Sequence, residues 1–447
     1  MCLSSLLSIT TSARKRKWPL AIAVIVAVTG MAYSLLWPPV VRHDVVRYSS
    51  HPLFHTALSR YLERIHPVAH YWYWVTPGDI WGTLRASQTI GWGYLGGIYS
   101  AHGAFLLPPG MLFILLPIDK AIAVFHLHPS YPLPLFRPSA WVILGPYEML
   151  LSAVALCGID ALSEHIGISS KRRALLCVAE AVALWQVVVI WGHPEDLVAL
   201  GLGCYAIVAA MDGRPVATGW LMGAALSVQP FTVLILPVVL AINAVKKMPS
   251  VLVRALSVPA VLVAVPAISD FHATWRALVV QPTYPRTDHP TPWLFLAPKL
   301  GNHAVSGGPT RIFAVIAAIV IGLVLFRMVH RGKKIERILP VACALSFTGW
   351  CMFESVMTPY YLWPALAFAL LAAACLGRIR LGIVLGVGMF ATVFAFHYYG
   401  PWLWWGTVTG SLLLACAVGI PYYSNSRSPG IDEAQKTTPE LPAVAVS

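Results

Sequence analysis

Apolar runs close to the ~20 residues that cross a bilayer recur along almost the whole chain, divided by short segments of clustered Lys and Arg. In lipid no water satisfies a bare amide, so each such run is expected to be a helix. With 58% of its 447 residues hydrophobic and 11% charged, the chain leaves no stretch for a sizeable soluble domain. The expected fold is all-α, a polytopic membrane helix bundle with the lipid bilayer as its first partner. A formal net charge of +13 would suggest nucleic acid in a soluble protein. Here the cations sit between apolar spans, where the positive-inside rule puts them, and no nucleic-acid partner is expected.

Spans fall at about 18–37, 139–162, 174–191, 196–211, 216–228, 231–245, 251–268, 312–329, 338–356, 360–376, 381–398 and 402–420. The basic groups Arg14 to Lys17, Lys171 to Arg173, Arg214, Lys246 with Lys247, Arg331 to Arg337, and Arg378 with Arg380 are assigned to the cytoplasm. An even number of crossings must then lie between the first group and Lys171. The ambiguous stretch 104–125, broken by Pro108, Pro109 and Pro117, is therefore read as a re-entrant or juxtamembrane element on the outer side. By the same logic 216–245 is a hairpin turning outside near Gln229 and Pro230, since "DGRP" and "VKK" both favour the cytoplasm. Its first arm would rise only ~20 Å, which suits a wall of a cavity better than bulk lipid.

About twelve crossings result, with both termini cytoplasmic: a basic N-terminus at 1–17, a bundle over 18–423 with external segments 38–138 and 269–311, and a polar tail, 424–447, expected to be disordered. The first span follows "ARKRK" and lacks a small-residue cleavage site, so it is expected to stay as an anchor. The eight cysteines lie at the extreme N-terminus or inside apolar spans with no CxxC among them, and are expected to be buried thiols. No repeat of fixed period is visible. GxSxG, HExxH and P-loop patterns are missing, so serine-nucleophile, zincin and NTPase chemistry have no support. Neither a cofactor nor a metal site is expected.

Chemistry is expected at the outer face. The first external segment holds Asp44, Glu63, Asp79 and Asp119, and "PLFHTALSRYLERIHP" over 52–67 reads as an interfacial amphipathic helix. Pro77 and Gly78 turn the chain just before Asp79, which fits an N-cap as well as a catalytic carboxylate. The second segment carries His272, Arg276, Arg286, His289, Lys299, His303 and Arg311. Singly these are ordinary loop residues; together they are cations on the face that carries Asp79. His193, Glu195 and Asp196 in "GHPED" fit a helix start opened by Pro194, with acceptor-sugar binding or metal ligation as the functional alternatives. Glu354 lies near an outer helix end, while Glu148, Asp160 and Glu180 are acids inside or beside spans. Asp160 and Glu180 fall towards the cytoplasmic half. Tyr360, Tyr361 and Trp363 read as aromatic-belt residues.

An acid in the first external loop, a small-residue and aromatic stretch ending in Ile98 and Tyr99, and then "PP" opening an apolar element resembles the GT-C superfamily of integral membrane glycosyltransferases. The block "WGHPEDLVALGLGCYAIVAAMDGRPVATGWLMGAALSVQPFTVLILPVVLAINAVKK", 191–247, is similar to the polyprenyl-phosphate-mannose-dependent mannosyltransferases of actinobacterial envelopes. The likeness covers residues 18 to 247. It departs from that pattern at Gln229, where a Lys is common, and at Thr218, in place of Ala.

The resemblance implies inverting transfer of a sugar, mannose, from a polyprenyl-phosphate-linked donor to a glycolipid or lipoglycan acceptor, with Asp79 as general base. A sugar hydroxyl is a weak nucleophile, and a carboxylate in hydrogen-bond reach raises its reactivity. The leaving phosphate needs donors or positive charge aimed at it, and His303, Arg311 and His272 are the first candidates. His193, Glu195, Gln229 and Glu354 complete the expected substrate-binding set. Two other classes stay open: a transporter or flippase for a lipid-linked glycan, with no privileged role for Asp79, and an inactive structural partner of an envelope-assembly complex.

Overall fold

The computed structural model describes residues 16–36, 78–91, 93–102, 105–127, 139–285 and 288–421. The expected helix at 52–67, the acids Asp44 and Glu63, and the tail 424–447 lie outside the described residues. What is described is a helical bundle. Its strands are two residues each, β1 His289–Pro290 and β2 Val356–Met357, paired antiparallel with His289 opposite Met357.

Seven described helices are long and apolar enough to cross a membrane: Trp141–His165, Pro194–Met211, Val245–Ser269, Arg311–His330, Pro359–Leu376, Arg378–Ala395 and Pro401–Gly419. Four shorter apolar helices accompany them, at Lys17–Thr29, Pro215–Val228, Pro230–Ala241 and Leu339–Phe353. The expectation of about twelve crossings thus depends on short helices crossing too. Val253, Val261 and Ile268 are exposed along one of the long helices, where an apolar surface needs lipid rather than water.

We number the helices that matter for the site: α1 Lys17–Leu36, α2 Gly78–Gly91, α3 Gly110–Val124, α4 Trp141–His165, α5 Ser170–Trp185, α6 Pro194–Met211, α7 Pro215–Val228, α8 Leu236–Ala241, α9 Met248–Ser269, α10 Arg311–His330, α11 Leu339–Phe353, α12 Trp363–Leu376, α13 Arg378–Ala395 and α14 Pro401–Gly419. Close crossings are made by glycine. A Cβ on Gly158 of α4 would lie 2.6 Å from the Gly201 carbonyl oxygen of α6, and one on Gly201 would lie 2.3 Å from that of Val154. Neither fits, so only bare backbones allow these two helices to approach this closely.

The basic segments meet at one end of the bundle. Arg16 binds Asp160 and, at 2.8 Å, Glu164; Arg173 reaches the same two acids at 3.4 and 2.8 Å. Arg172 donates to the carbonyls of Ala374 and Cys375 at the end of α12, and Arg380 to those of Val418 and Ile420 at the end of α14. Lys247 donates to the Gly213 carbonyl at 3.2 Å, which brings both feet of the 216–245 stretch together and makes it the expected hairpin. Its turn is Gln229, extended at φ −148° and ψ 118°, followed by a 3-10 segment over Pro230–Ile235. Asp160 lies at this basic end, as its position in the sequence implied.

Within the ambiguous stretch 104–125, Gly110–Val124 forms α3, with Pro117 inside it. Its 15 residues rise only about 22 Å, short of the ~30 Å hydrocarbon core. It packs on α2 and, at its start, against the hairpin turn: a Cβ on Gly110 would lie 2.3 Å from the Ser227 carbonyl oxygen. The seven described cysteines are free thiols, six of them buried.

Candidate functional site

Helices α6 and α10 begin at the end opposite the basic one, where their first residues meet the turn at Gln229, and α12 begins there too, just after Tyr360 and Tyr361. There a cavity of about 770 Å³ opens, within the size range of small-molecule sites. Its walls include Gly82, Thr83 and Arg85 of α2, the loop 105–107, His193, Gln229, Arg311, Trp350, Tyr360 and Tyr361.

Two irregular helix ends deliver side chains to it. After α5 the chain winds as a π-helix over Gln186–Trp191 and is stopped by Gly192 at φ 72°, a left-handed conformation that suits glycine, placing His193 before α6. A second π segment, Arg276–Val280, ends in Gln281 at φ 44° and ψ 74°. A non-glycine residue rarely holds that conformation; here Gln281 is kept there by its side chain, which donates to the Leu106 carbonyl at 3.4 Å and accepts from Arg311.

Arg311 opens α10 and is one of two arginines on the cavity wall, with Arg85. Its Nε donates to Glu354 Oε2 at 2.7 Å, and the Trp350 indole donates to the same oxygen at 2.9 Å. The Glu354 side chain is fully buried while that of Arg311 keeps 30% of its surface open. A buried carboxylate holding a guanidinium that still faces open space fixes its direction without quenching its donors, since the fork has five N–H groups.

Across the cavity His193 Nδ1 lies 2.6 Å from Glu195 Oε1, and its ring stacks on Tyr360 at 4.0 Å between centroids. Gln229 donates to Asp196 Oδ1 at 2.6 Å. The expected helix start at "GHPED" is present, with Pro194 opening α6 and Glu195 and Asp196 in its first turn; both acids are 1% exposed, so they are buried beneath the cavity as well. They face the inside, since α6 begins under the cavity and not at the surface. Tyr360 and Tyr361 line the cavity, and Trp363 is wholly buried, so none of the three is a belt residue.

Of the expected substrate-binding set, His193, Gln229 and Arg311 line the cavity, with Glu195 and Glu354 directly behind them. His272 and His303 do not. His272 is exposed on the short helix Phe271–Trp275, and His303 is exposed on a turn at φ 61°. Arg276 and Lys299 are exposed as well, and Arg286 lies outside the described residues. His289 is half-buried between Tyr398 and Trp404; burial holds its imidazole below the usual range despite neighbouring backbone hydrogen bonds, which makes it a poor anion partner. The cationic loop therefore contributes Arg311 alone of its described members.

Asp79 stands in the first turn of α2, and its side chain lies outside the described ones. Gly82 and Thr83, three and four residues further along α2, line the cavity. Gln281, Arg85 and Trp350 are site residues the sequence reading missed. Arg85 had a signal, a cation on the helix that Asp79 starts; Gln281 had none. Among the described residues no three His, Cys, Asp or Glu side chains are arranged to hold a metal ion. No protein-family model and no curated protein matches the chain.

Proposed function

We propose that this chain is a multi-pass glycosyltransferase of the cell membrane. It moves a sugar, mannose by the resemblance, from a polyprenyl-phosphate donor to a glycolipid or lipoglycan acceptor, with inversion and with Asp79 as the general base. Its basic end is cytoplasmic, as are both termini, and the cavity opens outside. The observation that carries the reading is Arg311 held towards the cavity by buried Glu354, on a wall shared with the residues one turn along from Asp79.

The chemistry follows from those two groups. An acceptor hydroxyl gives its proton to Asp79 while its oxygen bonds to the anomeric carbon, and the bond from that carbon to the phosphate oxygen breaks. Negative charge grows on the phosphate, where the Arg311 fork stabilises it. One carboxylate suffices for a single displacement, unlike the pair that glycoside hydrolysis requires.

The deciding experiment is transfer of labelled mannose from polyprenyl-phosphate-mannose to lipid acceptors in membranes, with the unmodified protein and Asp79→Asn at matched expression. Transfer by the first and a loss of at least 10²-fold in the second is expected. Full activity in Asp79→Asn would reject Asp79 and direct attention to Asp44. A flippase of lipid-linked glycan is the second reading, because the same cavity and cation would bind its headgroup. It predicts movement of a labelled lipid across the bilayer that Asp79→Asn leaves intact.

A further inference from the structure

Behind the cavity wall made by His193 and Gln229 lie three carboxyl groups from two helices. Glu195 and Asp196 belong to α6 and Glu148 to α4, and none is more than 1% exposed. His193 takes one oxygen of Glu195 and Gln229 one of Asp196. Glu195 Oε2, Asp196 Oδ2 and both oxygens of Glu148 have no hydrogen-bond partner among the described residues. Glu148 is near enough to Glu195 and His193 to feel both charges. The helix dipole favours acids in the first turn of α6 but has no bearing on Glu148.

Charge balance restricts what this group can be. Among the described residues the three buried carboxylates face one imidazole, that of His193, and unpaired buried charge is prohibitively costly. A metal ion would balance them, but no set of three ligands is arranged for one among the described residues. The group must therefore carry protons, and His193 is its member on the cavity wall.

We infer that His193, held by Glu195, is a second proton-transfer residue of the cavity, and that it protonates the departing phosphate while Asp79 deprotonates the acceptor. The inference rests on the glycosyl-transfer reading. The imidazolium donates Nδ1–H to Glu195, so exchange with the substrate goes through Nε2. As the acceptor oxygen bonds to the anomeric carbon, the electrons of the breaking carbon–oxygen bond go to the phosphate oxygen, which takes the Nε2 proton. The enzyme is left with neutral His193 and protonated Asp79; proton exchange with solvent resets both. Glu195 is a positioning residue, fixing the ring and its tautomer, while Tyr360 holds the ring plane. Among the described residues, the charged or titratable groups around His193 include Glu195 and Asp196 on its own helix, Glu148 of α4, stacked Tyr360, and Arg85, Arg311 and Tyr361 on the other cavity walls.

The test is the transfer rate in membranes from pH 5 to 9 for the unmodified protein, His193→Gln and Glu195→Gln, with thermal unfolding of each purified full-length protein in detergent as the check on folding. The unmodified rate should fall on the alkaline side as His193 loses its proton. His193→Gln should lose about 10²–10⁴-fold in kcat and lack that alkaline fall. Glu195→Gln should keep the fall but move it to lower pH. Variants that unfold at the temperature of the unmodified protein and retain its pH profile, whatever their rate, overturn the inference and leave glycosyl transfer standing. An unmodified protein that is folded but transfers no sugar overturns the glycosyl-transfer reading, and the inference with it.

Discussion

Glu354 and Arg311 are a pair in which one member is buried so that the other can work. The carboxylate sits at zero exposure between the Arg311 guanidinium and the Trp350 indole, and breaking such a pair by removing one partner costs about 3–5 kcal/mol when both are buried. Arg311 opens to the cavity, so rehydration softens that cost here. Glu354→Gln should keep the shape, lower transfer tenfold or more and raise KM for the donor, because the fork is no longer aimed. Arg311→Ala should lose about 10²–10³-fold in kcat, and Arg311→Lys should recover little, since an ammonium cannot copy the planar fork. Steady-state kinetics with purified protein would check all three, and an unimpaired Arg311→Ala would remove this residue from the mechanism. Both residues were legible in the chain, as ionised groups where apolar spans begin or end. Gln281 was not: a lone Gln before a proline says nothing about which distant arginine it will meet.

Elements in this bundle are held by short contacts that a single methyl group would break. The crossing of α4 and α6 places the carbonyl of Val154 where a Cβ on Gly201 would go. Gly201→Val should lower stability by about 1–3 kcal/mol or more through overpacking, seen as earlier thermal unfolding in detergent. Gly382→Ala, in α13 with nothing within 4 Å of the new carbon, should leave unfolding unchanged. Equal behaviour of the two would mean that the crossing is not close. The hairpin through Gln229 was readable because two basic feet and a proline leave few alternatives. The π segments before His193 and Gln281 were not, because one extra residue in a helical turn leaves the apolar pattern almost unaltered.

At the scale of the molecule the bundle has a basic end tied by ion pairs and an opposite end that opens into the cavity. In a cysteine-free background, Lys171→Cys in intact cells should resist an impermeant thiol reagent until the membrane is opened. Lys299→Cys, on the exposed loop before α10, should react at once. The reverse pattern would invert the topology and put the cavity in the cytoplasm.

Spans, basic ends, the hairpin and the poverty of metal-ligating patterns are properties of the sequence itself, because hydropathy and charge act on each segment separately, whatever its neighbours do. Which polar residues share a site is not such a property. His193, Gln229 and Arg311 are brought to one cavity, and His272 and His303 left outside it, by helix crossings and two backbone irregularities. Those depend on contacts between segments as far apart as α4 and α12, and only the folded bundle decides them.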